Sequence, residues 1–66
     1  MRVYVNGDSK DLSEGLSLSE LIKLLDLPIL RIAVELNRQV VRRADWDKTV
    51  LSEEDRIEIV HFVGGG

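Results

Sequence analysis

The chain has 66 residues, 44% of them hydrophobic and 32% charged, with 9 Lys and Arg against 12 Asp and Glu for a net charge of −3. This describes one small folded domain with little room for an internal active site, and it argues against disorder and nucleic-acid binding. With no cysteine and one histidine, the composition also excludes disulfides, thiolate zinc sites, iron–sulfur clusters, cysteine nucleophiles and histidine-cluster metal sites.

Val3 and Val5 alternate with Tyr4, the period of a strand over residues 2–6. Asn6-Gly7 tolerates positive φ at both centres of a type I′ turn, so a hairpin follows, with a polar edge strand near Asp8–Leu12. Ser17-Leu18-Ser19-Glu20 fits a capping box. Leu18, Leu21, Ile22 and Leu25 then fall on one apolar stripe. Pro28 ends the run, so the spacing predicts a helix over 18–26. Ile32, Val34 and Leu36 alternate with Arg31, Ala33 and Glu35 in a third strand. Asn37-Arg38 is a weaker turn signal before a short strand at Val40–Arg42. Residues 43–48 read as a charged loop whose Trp46 lids the core. Leu51 reads as a loop anchor and Ser52–Asp55 as a helical or tight turn. Arg56–Phe62 is the last strand, with Ile57 and Ile59 inward and Glu58, Val60 and Phe62 outward.

One amphipathic helix covers one face of a sheet. Val3, Val5, Ile32, Val34, Ile57 and Ile59 therefore pack on Leu18, Leu21, Ile22 and Leu25. The expected fold is an α+β roll, a mixed sheet of four to five strands with the helix across it and the last strand inserted beside the first. This is the β-grasp arrangement of ubiquitin-like proteins. Residues 1–66 form a single domain in this reading, with 63–66 a flexible glycine tail. No segment approaches the roughly 20 apolar residues of a membrane span. Met1–Asn6 is too short and too alternating for a signal peptide, so the expected location is cytoplasmic.

Side-chain chemistry is sparse. His61 has no evident partner, the serines have no activating base nearby in sequence, and Ser17 is better used as a helix cap. Glu53-Glu54-Asp55 lacks the spacing of a calcium loop. Gly64-Gly65-Gly66 precedes no helix and so makes no phosphate loop. The glycines have two readings. One is a frayed tail. The other makes the Gly66 carboxylate the working group, because a backbone without side chains enters a narrow groove. Adenylation by ATP would turn that carboxylate into an electrophile that a sulfur nucleophile attacks.

Several segments carry a family resemblance: Val5-Asn6-Gly7, Leu18–Leu25, Ala33-Val34-Glu35-Leu36-Asn37, Ala44-Asp45-Trp46, Leu51, Asp55–Val60 and the ending His61-Phe62-Val63-Gly64-Gly65-Gly66. Together they resemble the thiamine-biosynthesis sulfur carrier family, ThiS, over nearly the whole chain. The resemblance implies a carrier and not an enzyme, with no bound cofactor or metal. A ThiF-type adenylating enzyme would use ATP to activate Gly66. A cysteine-desulfurase-derived persulfide donor would supply sulfur, and the Gly66 thiocarboxylate would serve thiazole synthase. Gly65 and Gly64 would occupy the partner's channel, Gly64 as a permissive spacer beyond the family's usual ending. A molybdopterin-synthase-type carrier, a ubiquitin-related modifier and a non-covalent β-grasp interaction module are the alternatives. In each case docking falls to the uncovered sheet face. Tyr4, Val60 and Phe62 are expected there as neighbours, a contiguous apolar patch for a protein partner, with nucleic acid and membrane excluded.

Overall fold

The computed structural model describes residues 1–62. Among these, five strands and one α-helix occur: β1 (Arg2–Val5), β2 (Asp8–Asp11), α1 (Leu18–Leu24), β3 (Ile32–Leu36), β4 (Gln39–Val41) and β5 (Arg56–His61). The sheet order is β2-β1-β5-β3-β4. Thus β5 sits at the centre, parallel to β1 and antiparallel to β3. The expected β-grasp roll and the central insertion of the last strand both hold.

The first hairpin closes as its sequence demands. Asn6 and Gly7 take φ of 49° and 87°, the left-handed pair of a type I′ turn, and Val5 pairs with Asp8. Asn37 and Arg38 close the second hairpin with φ of 50° and 71°. Arg38 has no intrinsic preference for that region, which is why its signal in the sequence is weak.

The capping box at the start of α1 forms as expected. The Ser17 hydroxyl accepts from the Glu20 amide at 3.1 Å, and a Glu20 carboxylate oxygen accepts from the Ser17 amide at 2.9 Å. The helix stops earlier than expected. Leu25 is its cap and Asp26 turns left-handed with φ 54°. The Leu27 amide then donates to the Ile22 carbonyl and the Asp26 amide to the Lys23 carbonyl, the two bonds of a Schellman ending. Two short 3₁₀ helices also form: Arg43–Lys48 replaces the expected charged loop, and Ile29–Arg31 takes Arg31 out of the expected third strand, which begins at Ile32. Ser52–Asp55 is the tight turn rather than the helical one, with Glu54 left-handed. β5 ends at His61, one residue before expectation, and β2 at Asp11.

The core lies between α1 and one sheet face. Val3, Val5, Ile32, Val34, Ile57 and Ile59 meet Leu18, Leu21 and Ile22, with Leu25 and Leu36 partly buried at the margin. Trp46 and Leu51 close the ends of this layer, and the Trp46 indole N–H donates to the Val41 carbonyl at 2.9 Å. That bond satisfies the one polar group a buried tryptophan carries.

Candidate functional site: the uncovered sheet face and the end of the central strand

Strand alternation sends every second residue of the same strands away from α1. On β5 these are Arg56, Glu58 and Val60, with Phe62 one step beyond the strand. Pairing sets Val60 beside Ala33 and Glu58 beside Glu35, and the Phe62 amide donates to the Arg31 carbonyl at 2.7 Å. Val60 and Phe62 are 56% and 58% exposed, so this end of the face is apolar and accessible. On the opposite face of the same strands Ile32, Val34, Ile57 and Ile59 are buried. The apolar character continues toward the β4 margin, where Phe62, Leu30, Val40 and Trp46 line a shallow groove bordered by Arg42 and Arg43.

Tyr4 does not join this patch. The parallel register sets Tyr4 level with Arg56 and Val5 level with Ile57. Val60 is four residues further along β5, roughly 13 Å at the rise of a strand. Tyr4 is half-buried rather than exposed, and the Arg56 guanidinium stacks 4.6 Å from its ring centroid. This is a cation–π contact over an aromatic face. Tyr4 first, then Asp11 and Glu54, push the Arg2 guanidinium above its ordinary value. The expectation of Tyr4, Val60 and Phe62 as neighbours is therefore corrected. They share one face, but Tyr4 belongs to a charged half with Arg2 and Arg56, and Val60 and Phe62 belong to an apolar half. Sequence alternation gives the face of a residue and not its register against a strand fifty positions away.

The structure also assigns two asparagine side chains that pattern reading treats as turn formers only. Asn37 accepts from the Arg56 amide at 2.9 Å through Oδ1 and donates to Asp55 at 3.0 Å. Asn6 takes both backbone groups of Ile59, accepting from its N–H at 2.7 Å and donating to its carbonyl at 3.2 Å. The two amides bracket β5 at its start and near its end. Gly64, Gly65 and Gly66, the expected sites of tail insertion and sulfur attachment, lie outside the described residues. His61 is exposed at the end of β5. Among the described residues no group of three or more His, Asp or Glu is placed to hold a metal ion.

Such a surface, a folded body with one exposed apolar half on its uncovered sheet face and three glycines ending its sequence, suits a protein handled by other proteins. The sequence model of the ThiS family matches residues 3–66. The chain belongs to the ThiS family. A ThiS crystal structure from Geobacter metallireducens, described as a thiamine biosynthesis protein, matches with a TM-score of 0.88 at 33% identity, covering 100% of both chains. The sulfur carrier protein ThiS of Escherichia coli is 26% identical over 66 residues, 100% of each chain. A thiazole synthase of Magnetococcus marinus is 39% identical over 66 residues, all of this chain and 20% of that protein. The chain thus spans about a fifth of the length of that relative, and the region it matches is one part of a longer polypeptide.

Proposed function

We propose that this ThiS-family chain is a sulfur carrier of thiamine biosynthesis. It is a substrate of other enzymes and not an enzyme itself. In this reading the Gly66 carboxylate attacks the α-phosphate of ATP on a ThiF-type adenylating enzyme and pyrophosphate leaves. The terminal sulfur of a cysteine-desulfurase-derived persulfide displaces AMP to give an acyl disulfide. A second thiol then cleaves its S–S bond, forming a disulfide with the donor sulfur, and the released thiocarboxylate passes its sulfur to thiazole synthase in the cytoplasm. ATP is consumed on the activating enzyme, so the carrier needs no cofactor of its own.

The observation that carries the reading is the family match that runs through the three glycines, on a fold whose central strand leads into them. Glycine at 64, 65 and 66 gives the narrowest possible backbone, which suits passage into a partner's active site. The thiazole synthase likeness supports the choice of acceptor, because one polypeptide there joins a region like this chain to a protein of that name. Val60 and Phe62, beside the exit of β5, supply the docking contact, and Arg42 and Arg43 border it. Tyr4 lies too far along the face to share that contact and would meet only a partner broad enough to reach both halves.

The test is the intact mass of the chain after incubation with ATP, a ThiF-type enzyme and a persulfide source. A gain equal to sulfur replacing oxygen, localised to Gly66, is expected. An unchanged mass, with the enzyme proven active on another carrier, would overturn the reading and leave a non-covalent interaction module. Adding a residue after Gly66 should abolish the gain without altering the fold.

A further inference from the structure

The Val5-Asn6-Gly7 segment has a role that hairpin formation does not exhaust. Backbone groups of β5 alternate between its two neighbours, and those of Asp55, Ile57 and Ile59 face β1. The Tyr4 amide donates to the Asp55 carbonyl at 2.9 Å and the Asn6 amide to the Ile57 carbonyl at 2.8 Å. At Asn6 the chain reverses into β2, so no strand continues beside Ile59. The Ile59 side chain is buried at 7% exposure, and a backbone pair left without partners there would be unfavourable. The Asn6 side chain fills that vacancy with one acceptor and one donor, and so acts as the next residue of β1.

Few residues can do this. The position requires left-handed φ, which asparagine tolerates better than most. It requires a donor and an acceptor in one planar group. Glycine meets the first need and not the second; ionised aspartate has no donor.

We infer that Asn6 is a positioning residue for the reactive end of the chain. It fixes the β1-facing backbone pair of Ile59, two residues before β5 ends, and so sets the course on which the chain leaves the sheet at Phe62, four residues before Gly66. This inference rests on the carrier reading, since an exact exit matters only if Gly66 must reach a fixed point in a partner. Docking is assigned to Val60 and Phe62, whose backbones pair with the β3 side of β5 and not with Asn6. Loss of the Asn6 amide therefore misdirects Gly66 without removing the docking contact.

The test uses Asn6→Gly and Asn6→Asp in the full chain. Asn6→Gly keeps the turn free of strain and deletes only the amide; Asn6→Asp keeps the acceptor and loses the donor. Two readouts are taken: amide hydrogen exchange residue by residue, and kcat and KM for sulfur loading by the ThiF-type enzyme. In Asn6→Gly, exchange at Ile59 is expected to rise about tenfold or more while the β3–β5 ladder keeps its protection. The value of kcat should fall by a similar factor with KM held, and Asn6→Asp should lie between this variant and the parent. Unchanged exchange at Ile59 overturns the clamp. Faster exchange with unchanged kcat overturns positioning and leaves Asn6 a structural bond only. If the parent chain itself takes up no sulfur, the carrier reading has failed and the positioning role fails with it, while Ile59 exchange still reports on the clamp.

Discussion

The two faces of the sheet are built from the same strands and differ in nearly everything else. Along β5, Ile57 and Ile59 sink under α1, while Glu58 and Val60 stand in water one residue away. The core on the covered face is aliphatic and closed by Trp46. The uncovered face is divided, with Arg2, Tyr4 and Arg56 at one end and Val60 and Phe62 at the other. Core residues and the proposed docking residues therefore occupy alternate positions of one strand, so a substitution should affect stability or recognition and spare the other.

The strongest challenge to that separation is Ile57→Ala. Ile57 has no exposed surface, and such a truncation costs about 2–5 kcal/mol. A domain of this size holds only about 3–5 kcal/mol in its core, so circular dichroism should show a largely unfolded chain at 25 °C. A cooperative transition with an unmoved midpoint would mean that β5 contributes less than its burial implies.

Phe62→Asp tests the other face. Its stability should stay within about 0.5 kcal/mol of the parent. Association with the activating enzyme should weaken about tenfold or more, or about 1.4 kcal/mol. A collapsed melting transition would instead put Phe62 in the core and erase the distinction between the faces.

A smaller effect is expected at the start of α1. Ser17→Ala removes the hydroxyl that accepts from Glu20 and should cost about 1 kcal/mol in thermal denaturation. Only stability should respond, with partner association unaltered.

The smallest effect is a pH dependence from the same box. Hydrogen bonds from the Ser17 backbone and then its side chain hold the Glu20 carboxyl below the usual carboxylate range. A lowered folded-state value favours the ionised form. The contribution is complete above the ordinary glutamate range and is lost as pH falls through the folded value. Acid titration of stability in the parent and in Ser17→Ala should show the parent losing slightly more over that range. Parallel curves would show that the box is not coupled to Glu20 ionisation.

Much of this architecture was legible in the residues. Asn6-Gly7 dictated its hairpin, the Ser17–Glu20 box dictated the start of α1, and alternation in β3 and β5 sorted the two faces. Each signal is local and has a near-unique geometric solution. The end of α1 was not legible because aspartate, rather than glycine, takes the left-handed position at residue 26. The 3₁₀ helix at Arg43–Lys48 carries no periodicity to read and is shaped by Trp46 docking on Val41. For the site, the face of Val60 and Phe62 could be read, whereas the separation of Tyr4 from them could not. Parallel strands with most of the chain between them have no turn to fix their register; packing sets it. The amide clamps on β5 escaped for a related reason, since their partners lie 53 and 19 positions away.

The central place of β5 bears on how the protein is made. A ribosome synthesises this strand after every other element of the sheet. Until residues 56–61 have been translated, β1 and β3 have nothing between them, and Val3, Val5, Ile32 and Val34 lack their middle neighbours. The nascent chain therefore has only its two hairpins, β1–β2 and β3–β4, to settle into. Folding waits for the segment that directly precedes Val63 and the glycines. Messages cut short upstream of that segment yield polypeptides that cannot complete the sheet core.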